Sequence, residues 1–309
     1  MNITPETETT RALNQGNPIQ KRARLKWIHV VPYVFILPYF ALFSVFILYP
    51  ILYSLMLSFS QWNSSGLTFI GLTNYKNILT NPLFWKSLSN TGQILIIQVP
   101  IMLSLATVVA VFINSSLIRF RTFFRLGFFL PVLIDLVTYS LVFSLMFNEN
   151  FGLINHLLSL FGGHVAWRTD PFWAKVMIIV AITWRWTGYN SIIVLSGLQS
   201  IPKDLYESAS IDGAGRIISF FKITVPMLKP VLLFCTIIST IGTLQLFVEP
   251  YVLTRGGPSN ATMTAMYYLY DIAFGTFNFG LASAGAYLVT IVIAILSYLQ
   301  IRIGKGGEI

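Results

Sequence analysis

Residues 201–226 read IPKDLYESASIDGAGRIISFFKITVP and separate two long apolar runs. Ser200 can cap a helix that has Pro202 in its first turn, where a missing N–H costs nothing. Gly213 and Gly215 can then end that helix in a left-handed turn. A second amphipathic turn leads into the next apolar run. The pattern predicts two short helices folded on one face of a membrane.

The composition points the same way. Of the 309 residues, 55% are hydrophobic and 10% are charged, against roughly 25% charged in a soluble domain. The net charge of +9 comes from short basic clusters beside apolar runs. That placement is typical of membrane proteins and excludes a nucleic-acid-binding interpretation. The single cysteine, Cys235, excludes an internal disulfide framework.

Six apolar runs have the length of about 20 residues that a bilayer core requires of a helix. The sequence therefore predicts an all-α, polytopic membrane protein with six transmembrane helices. The expected spans are residues 30–59, 93–113, 126–147, 174–198, 228–254 and 281–303.

Basic residues orient these spans. Of the 20 Lys and Arg residues, 14 fall on the side that holds the N-terminus and 5 on the other, with Arg185 inside a span. Because cytoplasmic loops carry the excess of Lys and Arg, both termini are expected in the cytoplasm. The predicted organisation is a cytoplasmic tail 1–29, a transmembrane domain 30–303 with a cytoplasmic loop 199–227, and a tail 304–309.

The loop 199–227 resembles the EAA loop of permease subunits in binding-protein-dependent ABC importers. That pattern is Glu-Ala-Ala, three residues, Gly, nine residues, then Ile-x-Leu-Pro. The matching positions are Glu207, Ala209, Gly213, Ile223 and Pro226. Ser208 and Val225 replace Ala and Leu of the pattern. The resemblance implies that these positions, with Asp212, couple the chain to an ATPase; an ordinary amphipathic connector is the alternative.

The resemblance extends over nearly the whole chain. Leu37-Pro38-Tyr39, the segment 69–75 (FIGLTNY) and Gly256-Gly257-Pro258 are similar to carbohydrate permeases of the maltose, lactose and glycerol-phosphate type. It implies a type I ABC importer permease fold and a bacterial inner-membrane location.

The partners implied by the resemblance are a second permease, two copies of an ATPase and an extracytoplasmic solute-binding protein. The chain has no G-x-x-x-x-G-K-[ST] phosphate loop. ATP and Mg²⁺ are therefore expected on the ATPase partners, and this chain is expected to be a transport subunit rather than an enzyme. His29, His156 and His164 lack metal-ligand spacing, so no metal site is predicted.

Three ionisable residues interrupt the apolar spans, where each is costly. Asp135 and Arg185 are expected at similar depth, so they are predicted either to form a buried charge pair or to hold sugar hydroxyls directly. Glu249 is expected near the outer end of its span, where solvent or Arg255 can satisfy it.

The resemblance also implies a sugar site halfway across the membrane. Matching from the loop and from the Gly-Gly-Pro turn places Tyr189 and Ser239 on the sugar-contact positions of the family. Thr243 and Leu246 stand where the maltose type has amides, which argues against maltose itself. The spacing puts Ser239, Thr243 and Leu246 on one helix face. The predicted pathway residues are Tyr189, Ser239, Thr243, Leu246, Arg185 and Trp184.

Alternatives stay open at this point. Trp184 and Trp186 offer rings for stacking on a sugar, while the Ser239 and Thr243 hydroxyls can instead bond carbonyls one turn earlier. Arg185 would suit an anion such as glycerol-3-phosphate. A secondary transporter would show more spans and an internal repeat, and a membrane scaffold would not need mid-membrane charges.

Overall fold

The computed structural model describes residues 18–63, 66–115 and 118–305, and it is mainly helical. Residues 1–17 of the predicted N-terminal tail and 306–309 of the C-terminal tail lie outside the described residues. The chain divides into two compact units, residues 1–56 and 57–309.

The elements follow the apolar runs in chain order. The helices are α1 Pro18–Phe43, α2 Tyr49–Ser58, α3 Thr73–Thr80, α4 Pro82–Asn114, α5 Arg121–Leu133, α6 Leu136–Met146, α7 Leu153–Ser159, α8 Pro171–Gln199, α9 Lys203–Ile211, α10 Arg216–Ser219, α11 Val225–Leu244, α12 Ala265–Tyr270 and α13 Phe279–Lys305. Wider π-helical turns occupy Ser44–Leu48, Phe220–Thr224, Pro250–Thr254 and Asp271–Gly275. Strands β1 Ser60–Asn63 and β2 Gly66–Phe69 form an antiparallel hairpin.

Among the described residues, five helical segments are long and apolar enough to cross a membrane: Val31–Ser58, Pro82–Asn114, Pro171–Gln199, Arg216–Leu244 and Phe279–Gly304. A bent pair, α5 and α6, supplies a sixth crossing if it counts as one span. The number agrees with the six predicted spans. The second span is longer than predicted, because α4 begins at Pro82, where Asn81 caps it by accepting the Leu83 amide.

The first unit consists of α1, its π-helical turn and the start of α2. Pro32 and Pro38 lie inside α1 without ending it. The turn ahead of Pro50 closes with a bond from the Tyr49 amide to the Ser44 carbonyl, five residues back.

The third span is not the single helix 126–147 that the hydropathy predicts. It bends by 95° between α5 and α6. Ile134 and Asp135 are extended, and the Asp135 carboxylate accepts the amides of Val137 at 2.9 Å and Thr138 at 3.1 Å. Asp135 therefore caps the second half of a broken span, the position at which a carboxylate is strongly favoured.

The fifth span also differs from its predicted limits. The helical segment begins at Arg216 and α11 ends at Leu244. In a continuous helix the Leu246 carbonyl would accept the amide of residue 250, but Pro250 has none. The Thr264 hydroxyl donates to that carbonyl at 2.6 Å instead. The break therefore leaves no orphaned acceptor at Leu246.

Close packing fixes α8 at the centre of the second unit. The Gly188 backbone lies so near α5 that a Cβ there would come within 1.6 Å of the Phe128 carbonyl oxygen. One apolar cluster joins α8 with α6 through Tyr139, Phe143 and Met177. Another joins the other end of α8 with α4 and α11 through Ile113, Val194 and Leu228. These contacts place the polar faces of α4, α8 and α11 around a common space.

The aromatic stretch after span five lies inside the fold. The sequence favours a short helix at the membrane interface for residues 266–270. α12 does form there, but Ala265, Tyr268 and Leu269 are buried against α3, α4 and α13. α12 is therefore a core element.

Candidate functional site

A pocket of about 400 Å³ lies between α4, α8 and α11. It brings together four residues singled out in the sequence: Tyr189, Ser239, Thr243 and Leu246. Its volume falls in the range of about 300–1,000 Å³ that small-molecule sites occupy. Leu246 reaches the pocket from the break after α11, and not from the continuous helix face that its spacing predicts.

The two hydroxyls on α11 have different partners. Thr243 donates to the Gln98 side-chain oxygen on α4 at 3.2 Å and is buried. Ser239 is half-buried, and its hydroxyl bonds to no other described residue. Neither hydroxyl bonds the carbonyl one turn earlier, whereas Thr236 does so with Leu232. Helix back-bonding is therefore wrong for Ser239 and Thr243.

The aromatic wall of the pocket comes from Trp186 and Tyr189 on α8. Their rings meet edge to face with centres 5.7 Å apart. Trp184 points to another face of α8, packs against Phe143, and borders a larger apolar groove with α4 and α5. Of the two tryptophans considered for stacking, Trp186 lines the pocket and Trp184 does not.

The predicted buried pair of Asp135 and Arg185 is wrong. Asp135 is exposed and its carboxylate caps α6. Arg185 is buried, and its guanidinium donates to the carbonyls of Pro131 at 3.3 Å, Val132 at 3.1 Å and Ile134. Pro131 and Val132 belong to the last turn of α5 and Ile134 follows it, where the broken span leaves carbonyls short of helical donors. The Pro131 carbonyl also accepts the Ile134 amide at 3.4 Å. Arg185 does not line the pocket and serves to hold the break.

Glu249 also departs from expectation. Its side chain is only 3% exposed and lines the pocket beside Leu246. One carboxylate oxygen, Oε1, accepts a hydrogen bond from the Tyr139 hydroxyl on α6, and not from Arg255. The Arg185 guanidinium lies over the Tyr139 ring, 4.7 Å from its centre.

Three amides of the pocket are not identified from the sequence: Gln245 follows α11, and the other two lie within long helices. Gln98 on α4 is buried and bonds Thr243, and Asn190 on α8 donates to the Trp186 carbonyl at 3.0 Å. Both interrupt otherwise apolar runs. A search for uncharged polar residues within the spans would have found them, because buried amides in lipid-spanning segments are rare without a partner or a ligand.

The connection between α6 and α8 is held by Glu149. Its carboxylate accepts the amides of Arg168 at 2.6 Å and Thr169 at 3.0 Å. Partial burial opposes ionisation, but these hydrogen bonds to the charged form are stronger and lower the pKa of Glu149 from its ordinary value of 4.5. The Arg168 side chain in turn donates to the Leu253 carbonyl, which ties this connection to the end of span five.

The loop 199–227 has a defined geometry at the opposite end of α8. Glu207 and Ala209 lie on α9. The N-cap residue of α9 is Pro202 and not Ser200. Gly213 has a φ of +79° and closes the turn, with the Ala214 amide bonded to the Ala209 carbonyl at 2.8 Å. Gly215 has an ordinary φ of −70° and precedes α10. Of the two glycines expected in a left-handed turn, only Gly213 adopts it.

The second half of the loop is continuous with span five. Ile223 lies in the π-helical turn and Pro226 in the first turn of α11. The Tyr206 hydroxyl on α9 lies 2.9 Å from the Thr224 hydroxyl and fastens the two halves together.

The loop 199–227 exposes several large apolar side chains. Ile211 is 86% exposed and Ile217 is 75% exposed, and Phe221 is also exposed. Glu207 and Asp212 lie on the same exposed loop. Apolar side chains grouped with acidic ones on an exposed surface mark an interaction site.

These features define a polytopic helical membrane protein with a largely apolar pocket between its spans, in which several polar groups are placed, and an exposed loop at residues 199–227. The family of binding-protein-dependent transport system inner membrane components matches residues 102–304. The chain belongs to that family.

Individual relatives agree. The chain is 45% identical to the lactose transport system permease protein LacF of Rhizobium radiobacter, over 90% of this chain and 96% of the relative. It is 38% identical to the arabinooligosaccharides transport system permease protein AraP of Halalkalibacterium halodurans, over 88% and 87%. A crystal structure of a bacterial ABC transporter that imports alginate shares the fold, with a TM-score of 0.80, 21% identity, and coverage of 94% of this chain and 99% of that one.

Proposed function

We propose that the chain is the permease subunit of an ATP-driven sugar importer and forms half of its translocation pathway. It resides in the bacterial inner membrane with both termini in the cytoplasm. The observation that carries the proposal is the pocket between α4, α8 and α11, which combines an aromatic wall with uncharged hydrogen-bonding groups. A sugar binds through a few placed hydrogen bonds and a ring against its apolar face.

The charge of the pocket favours a neutral solute. Among its described lining residues none is basic, and the single carboxylic acid is Glu249. Arg185, the residue that suited an anion such as glycerol-3-phosphate, is turned toward α5. The 45% identity to a lactose permease supports the same substrate class.

The loop 199–227 supports coupling to an ATPase. Its turn at Gly213 presents Glu207 and Asp212 beside exposed apolar side chains, the mixture that a protein partner buries. The proposed assembly contains this chain, a second permease, two copies of an ATPase that bind ATP and Mg²⁺, and an extracytoplasmic binding protein that delivers the sugar.

The test measures uptake by the reconstituted complex. Tyr189→Ala and Ser239→Leu should each reduce uptake of neutral sugars, lactose first, because each loses a contact with the solute. Loss of one hydrogen bond costs about 0.5–1.5 kcal/mol, or roughly a threefold to tenfold weaker affinity. Tyr298→Ala on α13, an exposed tyrosine outside the pocket, is the matched control and should transport normally.

The outcomes separate the alternatives. A variant that transports poorly but copurifies with its partners supports a substrate contact, whereas one that dissociates the complex marks a packing residue. Uptake of glycerol-3-phosphate in preference to every neutral sugar would contradict the proposed substrate class. A chain that transports alone, without an ATPase, would contradict the importer assignment.

A further inference from the structure

The packing of the fold does not explain why the pocket contains a carboxyl group at Glu249. Its side chain is 97% buried, yet it borders the open space of the pocket. A charged side chain in an apolar span is costly, so one that persists there is a candidate for direct contact with a solute.

The hydrogen bonding of Glu249 leaves half of the carboxylate available. Oε1 accepts from the Tyr139 hydroxyl. Within the described part of the chain, Oε2 receives no hydrogen bond from another residue. Tyr139 is itself buried and packed between α6 and α8, so its hydroxyl holds the carboxylate in a fixed direction.

The nearest cation does not neutralise Glu249 by direct contact. The Arg185 guanidinium lies over the Tyr139 ring, and its two terminal nitrogens donate to three backbone carbonyls of α5 and the break. The carboxyl group of Glu249 therefore borders the pocket without a described cation in direct contact, with the uncharged groups of Gln98, Thr243 and Gln245 around it.

We propose that Glu249 is a specificity-determining residue: Oε2 accepts a hydrogen bond from a hydroxyl of a neutral sugar, and the carboxylate rejects anionic sugars such as uronates. This inference rests on the proposed function. A hydroxyl bound to a charged acceptor gains more than one bound to a neutral acceptor. A second carboxylate brought into the same site would meet like charge at low dielectric.

The experiment measures binding to the complete permease–ATPase complex in nanodiscs, without the binding protein, so that only the membrane site selects. The neutral probe is radiolabelled lactose, and the anionic competitor is digalacturonate. Wild type should bind lactose and discriminate against digalacturonate. Glu249→Gln should weaken lactose binding roughly threefold to tenfold while reducing the discrimination against digalacturonate.

Two further variants test the charge itself. Glu249→Asp keeps the carboxylate but shortens it, so lactose binding should weaken while digalacturonate stays excluded. Asp271→Asn removes the same charge from an exposed position outside the pocket and should leave both affinities unchanged. Glu249→Asp also serves if Glu249→Gln fails to assemble.

The binding results distinguish failure of the Glu249 inference from failure of the proposed sugar-importer function. Unchanged affinity and unchanged preference in Glu249→Gln would overturn the inference while leaving the sugar importer intact. An equal loss of both ligands would assign Glu249 a packing function only and would also overturn it. If the wild-type complex binds digalacturonate or glycerol-3-phosphate but no neutral disaccharide, the proposed function itself fails.

Discussion

The turn at Gly213 and the break at Asp135 both interrupt helices, but they are held by different means. The Gly213 turn closes through backbone bonds within six residues, from Ala214 to Ala209. The break at Asp135 has a local cap, yet its free carbonyls are satisfied by Arg185, 51–54 residues away in sequence. Local backbone conformation therefore stabilises the turn at Gly213, whereas the packing of two spans stabilises the break at Asp135.

The largest expected effect comes from the local turn. Gly213→Val places a β-branched residue at a φ of +79°, which L residues rarely adopt, at a cost of about 1–3 kcal/mol. The loop should lose its docking shape, and uptake should fall to background while the chain is still inserted. Uptake assays and membrane yield check this.

The control for this change lies two residues away. Gly215 has an ordinary φ, and a Cβ there would meet no heavy atom within 4 Å. Gly215→Ala should therefore transport at close to the wild-type rate. Normal uptake by Gly213→Val would contradict the proposed role of this loop in coupling.

The second-largest effect is expected from Arg185, which supports the break at Asp135 from another span. Arg185→Ala leaves the Val132 and Ile134 carbonyls without a donor among the described residues, while the Pro131 carbonyl keeps the Ile134 amide. A hydrogen bond to a charged group is worth about 1.5–3 kcal/mol. The thermal midpoint and yield of the purified complex should fall clearly. Arg185→Lys supplies one point donor in place of a planar fork, so it should recover only part of the loss. Wild-type stability in Arg185→Ala would mean that packing alone holds the break.

A smaller effect is expected from the cap of α6. Asp135→Ala should cost about 0.5–2 kcal/mol, the usual value of an N-cap, whereas Asp135→Asn should be nearly neutral because Asn caps as well. Thermal unfolding of the complex distinguishes the two. If Asp135→Asn were as damaging as Asp135→Ala, the charge of Asp135 would matter and an ion pair would have to be reconsidered.

The smallest effect concerns the connection that follows α6. Because hydrogen bonds lower the pKa of Glu149 in the folded chain, its stabilisation is complete above its unfolded pKa near 4.5 and is lost as the pH falls through the folded value. Protection of residues 148–169 from amide exchange should decline on acidification in that range. Glu149→Gln should show weaker protection at neutral pH and a flatter profile. A wild-type profile that stays flat would contradict this contribution.

The sequence predicts what depends on local pattern. Hydropathy locates the spans, and the spacing from Glu207 to Pro226 locates the loop 199–227, because both signals lie within a short stretch of chain. The resemblance places Tyr189 and Ser239 at the solute site, and the structure brings both into the same pocket.

Features that depend on distant partners could not be predicted in this way. The sequence pairs Asp135 with Arg185 by their expected depth alone. Arg185 instead bonds carbonyls that are accessible to it because the span breaks. Glu249 finds its partner 110 residues away at Tyr139, and Gln98 faces Thr243 from another span. No spacing rule within one helix contains that information.

The exposed apolar face of the loop 199–227 also bears on the fate of the chain before assembly. Ile211 is exposed at the end of α9, and Ile217 and Phe221 are exposed at the start of the helical segment Arg216–Leu244. Marginally protected chains are removed by chaperones and proteases in the cell. If the loop docks on a partner as proposed, we expect the abundance of this subunit to fall when that partner is not synthesised.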